Sequence, residues 1–115
     1  MKVVIDFDGT ITANPEFFSH FVYLFNQNRN DIIILTASKK SRMVLSFLEK
    51  WGISPVFFLQ MDPHDSNWKK QAEWKIETVK ELKPDIWIDN DFKMWERVFG
   101  IDLDKELPGV TRLQI

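Results

Sequence analysis

The chain has no cysteine, and it has only four glycines, one tyrosine and two histidines in 115 residues. Without thiols it can form neither disulfides nor thiolate metal sites, which fits a reducing compartment and leaves oxygen as the main donor for any metal. No apolar run approaches the roughly 18 residues of a membrane span, and the chain opens on a strand pattern rather than a signal peptide. A soluble, cytoplasmic protein is expected. Charge of one sign is also missing: fifteen basic against seventeen acidic residues leave a net charge of −2, with no global attraction to nucleic acid or anionic membrane. Large aromatics, by contrast, are plentiful. Ten Phe and five Trp point to a bulky core with material for an exposed aromatic interface. The length suits one domain that buries roughly 65% of its unfolded surface.

Apolar runs of strand length alternate with segments of helical period, without an internal repeat or linker. That alternation predicts a three-layer, Rossmann-like α/β domain on a mainly parallel sheet of about five strands. Strands are expected at Lys2 to Asp6, Asp31 to Thr36, Val56 to Leu59 and Ile86 to Asp89, with Val110 to Ile115 as a fifth. Asn14 and Pro15 suit an N-cap and first helical position for a helix carrying Phe17, Phe18, Phe21, Leu24 and Phe25. A second helix, about Ser41 to Trp51, would turn Val44, Leu45, Leu48 and Trp51 inward and stop at Gly52. A third should run from about Ser66 to Leu82, ended by Pro84, and a short one carrying Phe92, Trp95, Val98 and Phe99 should follow Asp91. In such a sheet, ligands bind beyond the carboxyl ends of the strands, where Asp6, Thr36 and Asp89 all stand.

The sharpest feature is DFDGTIT, from Asp6 to Thr12, directly after the apolar Val3, Val4 and Ile5. In an extended segment, side chains two apart share a side at roughly 6.5 to 7 Å, so Asp6 and Asp8 can face one site. Carboxylates held that close repel until a proton or a hard divalent cation sits between them. Gly9 allows a sharp turn. WIDND, from Trp87 to Asp91, repeats the arrangement after another apolar strand, although Asp91 can instead N-cap the following helix. Thr36 closes IIILT, where its hydroxyl and the backbone N–H groups of the Ala37–Ser38 turn could donate to an anion.

Helical periodicity singles out one lysine. At about 100° per residue, Trp68, Ala72, Val79 and Leu82 fall in a stripe roughly 80° wide, and Lys75 lies inside it. An ammonium in a core-facing stripe must snorkel out or find anionic partners. Lys39, Lys40 and Arg42 cluster just past Thr36 and are either a solvated helix start or a clamp for further substrate phosphates. His20 and His64 have the pattern of surface residues.

DFDGT resembles the first motif, DxDGT, of the haloacid dehalogenase superfamily of phosphatases and phosphotransferases. Thr36 matches that family's second motif, Lys75 its third, with Lys69 in reserve, and Asp89 with Asp91 the acidic fourth; Asn90 stands where many relatives carry another Asp. The resemblance spans Asp6 to Asp91 and implies a magnesium-dependent phosphatase. In it Asp6 attacks phosphorus and Asp8 serves as general acid and base. Magnesium is held by Asp6, the Asp8 carbonyl and Asp89, with Asp91 as a further ligand, while Thr36, Ala37 and Lys75 bind the phosphoryl oxygens. Asp8 argues against dehalogenase and ATPase chemistry. Neither insertion point has room for a cap domain, which in this family goes with large substrates such as nucleic-acid or protein ends, or with closure by another subunit. Trp68 or Phe92 near the mouth could stack a base, although core packing is the more ordinary use of such residues. Two alternatives remain. One is an idle binding module of the same fold. The other is a phosphorylation-switch receiver, whose acceptor Asp would follow the third strand, where Leu59, Gln60 and Met61 stand.

Overall fold

Strand side chains alternate between two faces, and in the central strands of this chain both faces are apolar. Val3 and Ile5 of β1 (Lys2–Asp6) and Ile32 and Ile34 of β2 (Asp31–Thr36) pack on one side, against Phe18 and Val22 of α1 (Pro15–Gln27) and Val44 and Leu48 of α2 (Ser41–Lys50). Val4, Ile33, Leu35 and Trp87 face the other side, against Ala72, Ile76 and Val79 of α3 (Trp68–Leu82), Phe92 and Trp95 of α4 (Phe92–Phe99) and Leu103 of α5 (Leu103–Glu106). These features belong to a computed structural model, which describes residues 1–27, 31–39, 41–53 and 57–115.

With β3 (Phe57–Gln60), β4 (Ile86–Asp89) and β5 (Thr111–Gln114), the sheet has the order β3-β2-β1-β4-β5. All four pairings are parallel. The fold is thus a three-layer, Rossmann-like α/β domain with five strands. The chain leaves β1 toward β2 and β3 on one side and returns to β4 and β5 on the other, so the order reverses between β1 and β4. Their carboxyl ends form the crevice in which such sheets bind ligands. Among the described residues no helix is long and apolar enough to cross a membrane.

Several expectations shift in detail. β3 is described one residue later than its pattern, and Val56 lies outside the described residues. Leu45, read as inward, is 50% exposed, because α2 rests on the sheet through Val44 and Leu48 with Phe47 beside them. On α1, Phe17 and Leu24 face outward while Phe18 and Val22 enter the core. The helix α5 falls in a stretch read as connection. Asp102 caps it by accepting from the Lys105 N–H at 3.2 Å, and Leu103 and Leu107 fill the end of the second core.

Candidate active site

The period of two that buries Val4 and Trp87 on the α3 face carries on to Asp6 and Asp89. Val4 pairs with Trp87 and Ile5 with Ile88, so the next residues bring Asp6 and Asp89 to neighbouring strand ends on one face. Both carboxylates are buried, at 1% and 0% exposure. Two turns into α3, Lys75 arrives over them. Its Nζ donates to Asp6 Oδ1 at 2.6 Å and to Asp89 Oδ2 at 3.3 Å, and it lies 5.7 Å from the centre of the Trp95 ring. Lys75 itself is 6% exposed, so it does not snorkel.

The Phe7–Ile11 turn after β1 and Asn90 after β4 supply the rest of the shell. Thr10, fully buried, donates to Asp6 Oδ2 at 3.0 Å. The groups around the Asn90 amide are acceptors, which fixes its nitrogen inward, donating to Asp6 Oδ2 at 3.0 Å and to the Asp8 carbonyl at 3.2 Å. Gln114 of β5 braces this loop, donating from Nε2 to the Asn90 carbonyl at 2.6 Å. Gly9 adopts φ +80, and a Cβ there would lie 2.4 Å from the nearer terminal atom of the Asn90 amide. The glycine is required twice, by its backbone angle and by the close approach of Asn90.

Asp8 is exposed and lines a cleft of about 600 Å³ with Lys75, Ala37, Ser38, Lys39, His64 and Asp91. Thr36 is fully buried; its hydroxyl donates to Asp8 Oδ2 at 3.4 Å and accepts from the Ser38 N–H at 3.0 Å. Thr36 therefore orients Asp8 and the turn after β2. The Nδ1–H of His64 donates to the Ala37 carbonyl at 2.8 Å, which places the imidazole on the cleft wall. Of the basic cluster, Lys39 lines the cleft, Arg42 is exposed and not part of its lining, and Lys40 lies outside the described residues.

Asp91 occupies the N-cap position of α4, but its side chain makes no cap bond and lines the cleft. Its N–H instead reaches Asp89 Oδ1 at 3.0 Å. Asp6, the Asp8 carbonyl and Asp89 are the hard oxygen donors at the strand ends, with the Asp91 carboxylate beside them. Among the described residues no three His, Cys, Asp or Glu side chains are grouped as a metal cluster. A magnesium site needs fewer, since that ion keeps several waters and takes one or two carboxylates.

Electrostatics separates these groups. Burial, and next the charge of Asp89, push the Asp6 carboxyl up to about 7, against the opposing pull of Lys75. Burial also raises Asp89, opposed chiefly by Lys75. Burial alone would lower the Lys75 ammonium, but the charges of Asp89 and Asp6 and their hydrogen bonds outweigh it and hold it above its usual value. Two buried carboxylates against one ammonium leave the site short of positive charge.

The spacing that selected Asp6, Lys75 and Asp89 brings together residues that are in contact here. Trp68, placed in the same stripe, is 71% exposed, because α3 begins beyond the edge of the core. Phe92 is a core residue, edge-on to Trp87 at 4.8 Å. Lys69 is exposed. Thr10, Asn90 and Gln114 support the site without a sequence pattern that marks them as supports. Thr10 was visible within DGT, whereas the other two act through contacts that only the fold creates.

No family model matches the chain, and no curated protein matches it. Among solved structures, a chain in the structure of the Pnkp1/Rnl/Hen1 RNA repair complex is similar at a TM-score of 0.68 and 20% identity, over 99% of this chain and 42% of that one. This chain thus spans less than half the length of that protein, and at such identity the likeness is one of fold. A putative UDP-N-acetylglucosamine 2-epimerase from Listeria monocytogenes is more distant, with a TM-score of 0.49 and 19% identity over 76% of this chain and 24% of that one.

Proposed function

We propose that the chain is a magnesium-dependent phosphatase of the haloacid dehalogenase type, working through an aspartyl-phosphate on Asp6. The observation that carries this reading is the pair Asp6 and Asp89, buried at adjacent strand ends and joined by the Lys75 ammonium at 2.6 and 3.3 Å, with Asp8 exposed in the cleft beside them. Nucleophile, acid/base and cation are then separate groups with separate environments.

Asp6 must be ionised to attack. Its upward shift to about 7 marks a pocket that lacks positive charge, and the donors on hand are hard oxygens, so magnesium fits the site on both counts. Asp6, the Asp8 carbonyl and Asp89 would hold the ion, with Asp91 in reach of its shell; bound there, it supplies charge that steadies the Asp6 carboxylate and the incoming phosphate. An Asp6 oxygen attacks phosphorus and the ester P–O bond breaks, with Asp8 giving its proton to the leaving oxygen. Asp8 then takes a proton from water, whose oxygen attacks phosphorus to release phosphate and restore Asp6. Lys75 neutralises charge on the phosphoryl oxygens, Thr36 holds Asp8, and the Ala37–Ser38 turn lines the phosphate's approach.

The connections of residues 7–14 and 61–67 leave no room for a cap, so the cleft admits phosphomonoesters on large molecules, nucleic-acid or protein ends included. Phosphorylated RNA ends belong in the first panel, given the fold's likeness to a chain from an RNA repair complex. With magnesium, the protein should hydrolyse aryl phosphate and members of a panel of nucleotides, sugar phosphates and 3′- or 5′-phosphorylated oligonucleotides. Asp6→Asn should abolish turnover. Absence of metal-dependent hydrolysis across that panel would refute the enzyme reading in favour of an idle binding module.

A further inference from the structure

Trp68, the first residue of α3, leaves 71% of its surface in solvent, although indole gains as much from burial as any side chain. It stands on a hollow of about 190 Å³ whose other walls include Met94 and Trp95, with the polar groups of Gln71, Lys75 and Asp91. Those three polar residues also line the main cleft, so the hollow is a side chamber of the candidate active site. Its volume falls below the roughly 300–1,000 Å³ of pockets that enclose whole ligands, and it suits a single ring system. Gln71, a wall of the hollow, donates through Nε2 to the Asp65 carbonyl at 2.8 Å, which leaves its amide oxygen as an acceptor.

Spacing selects the ligand class. Trp68 and Lys75 are seven positions apart in α3, or roughly 10 Å along the helix axis at 1.5 Å per residue. A phenyl phosphate carries its ring directly on the reacting oxygen and would leave the chamber empty, and a sugar phosphate has no ring face to offer. A nucleoside phosphate places a sugar between phosphate and base and spans that distance. We infer that the Trp68 chamber is a nucleobase subsite, and that the preferred phosphomonoester is a nucleoside phosphate, free or at the end of a strand, with its base stacked on Trp68. The inference rests on the phosphatase reading for the position of the phosphate but concerns binding of the leaving group. Base stacking on an aromatic side chain contributes roughly 1–3 kcal/mol, or about 5- to 150-fold in affinity.

The test measures binding by calorimetry in magnesium, in an Asp6→Asn background so that no ligand is consumed, with Trp68 intact, Trp68→Ala or Trp68→Phe. Adenosine 5′-monophosphate and short RNA and DNA strands phosphorylated at either end are compared with ribose 5-phosphate and phenyl phosphate. With Trp68 intact, a mononucleotide or a strand end should bind roughly tenfold or more tighter than ribose 5-phosphate and phenyl phosphate. Trp68→Ala should bring that preference to within about twofold, and Trp68→Phe should keep most of it. A preference unaltered by Trp68→Ala, no preference in any nucleotide arm, or phenyl phosphate binding as tightly as the nucleotides would overturn the subsite. Turnover by the chain with Asp6 intact is read separately. Base preference without hydrolysis would refute the phosphatase and keep the subsite, and hydrolysis without base preference would do the reverse.

Discussion

At the scale of single residues, Lys75 decides how the site is built. It is the ammonium that both Asp6 and Asp89 contact, at 2.6 and 3.3 Å, and all three side chains are nearly sealed from water. Removing one partner of a buried ion pair costs about 3–5 kcal/mol, because the remaining charge is left uncompensated. Lys75→Met should therefore lower the free energy of unfolding at pH 7.5 by an amount in that range. The loss should shrink near pH 5, where the two carboxyls can take up protons instead. Denaturant titrations at both pH values check this, and an equal loss at each would mean that Lys75 acts through packing alone. The same residue shows what a sequence can reveal. A lysine within an apolar stripe must either snorkel out or meet a buried anion, so Asp6 and Asp89 were legible as candidate partners, while only the fold decides between the two outcomes. Trp68 obeyed the same angular rule yet lies in solvent, since periodicity gives a direction around the helix but not how far along it the sheet extends. Asn90 was legible only as a departure from a motif; its wedge against Gly9 joins positions 81 apart in the chain, counted from the Gly9–Asn90 contact.

At the scale of elements, β1, β2 and β4 were readable to the residue because double-sided burial makes them nearly continuous apolar runs, whereas β5 alternates exposed and half-buried residues and its bounds shift by one. Helix faces were less readable. Leu45 and Leu48 are both leucines of α2, one 50% and the other 2% exposed. Leu48→Ala should cost about 2–5 kcal/mol, whereas Leu45→Ala should stay within about 1 kcal/mol in urea unfolding. The turn joining β1 to α1 gives a second contrast. Gly9 and Gly52 both have positive φ, at +80 and +66, but a Cβ on Gly52 meets nothing within 4 Å while one on Gly9 strikes Asn90 at 2.4 Å. Gly52→Ala should cost about 1 kcal/mol of backbone strain. Gly9→Ala adds displacement of Asn90, and with it the amide that bonds Asp6 and the Asp8 carbonyl. Its stability loss should exceed that of Gly52→Ala, and on the proposed reading metal-dependent phosphate hydrolysis should fall at least about tenfold, for which a shift of 1.4 kcal/mol suffices. Equal effects of the two alanines on both readouts would show that the Asn90 wedge does not matter.

For the whole molecule, the two carboxyls buried against one ammonium at the β1–β4 crevice should link folding to pH and, if the proposed ion binds there, to magnesium. Burial and Asp89 hold the Asp6 carboxyl near 7 in the folded chain, against an ordinary value of 3.8. Between about pH 4 and 7 the metal-free folded state therefore keeps a proton that the unfolded chain has released. Since unfolding then liberates protons, the free energy of unfolding falls as pH rises through that window, by up to roughly 1.4 kcal/mol per pH unit, and levels off above about 7. Asp89, raised in the same direction, adds to the slope, while Lys75 stays charged in both states across the window and adds none. Asp6→Asn deletes the titrating group and should flatten most of the decline, leaving a variant more stable than the parent at pH 7.5 without metal. If magnesium binds as proposed, millimolar concentrations should stabilise the parent above pH 7 by mass action and the Asp6→Asn variant less, because a proposed ligand of the ion is gone. Thermal or denaturant unfolding from pH 4.5 to 8, with chelator or with magnesium, tests all three expectations together. If metal-free stability rose from pH 5 to 7 by the same amount in parent and variant, Asp6 would be an ordinary ionised carboxylate held by Lys75, and the crevice would have no deficit of positive charge for a cation to fill.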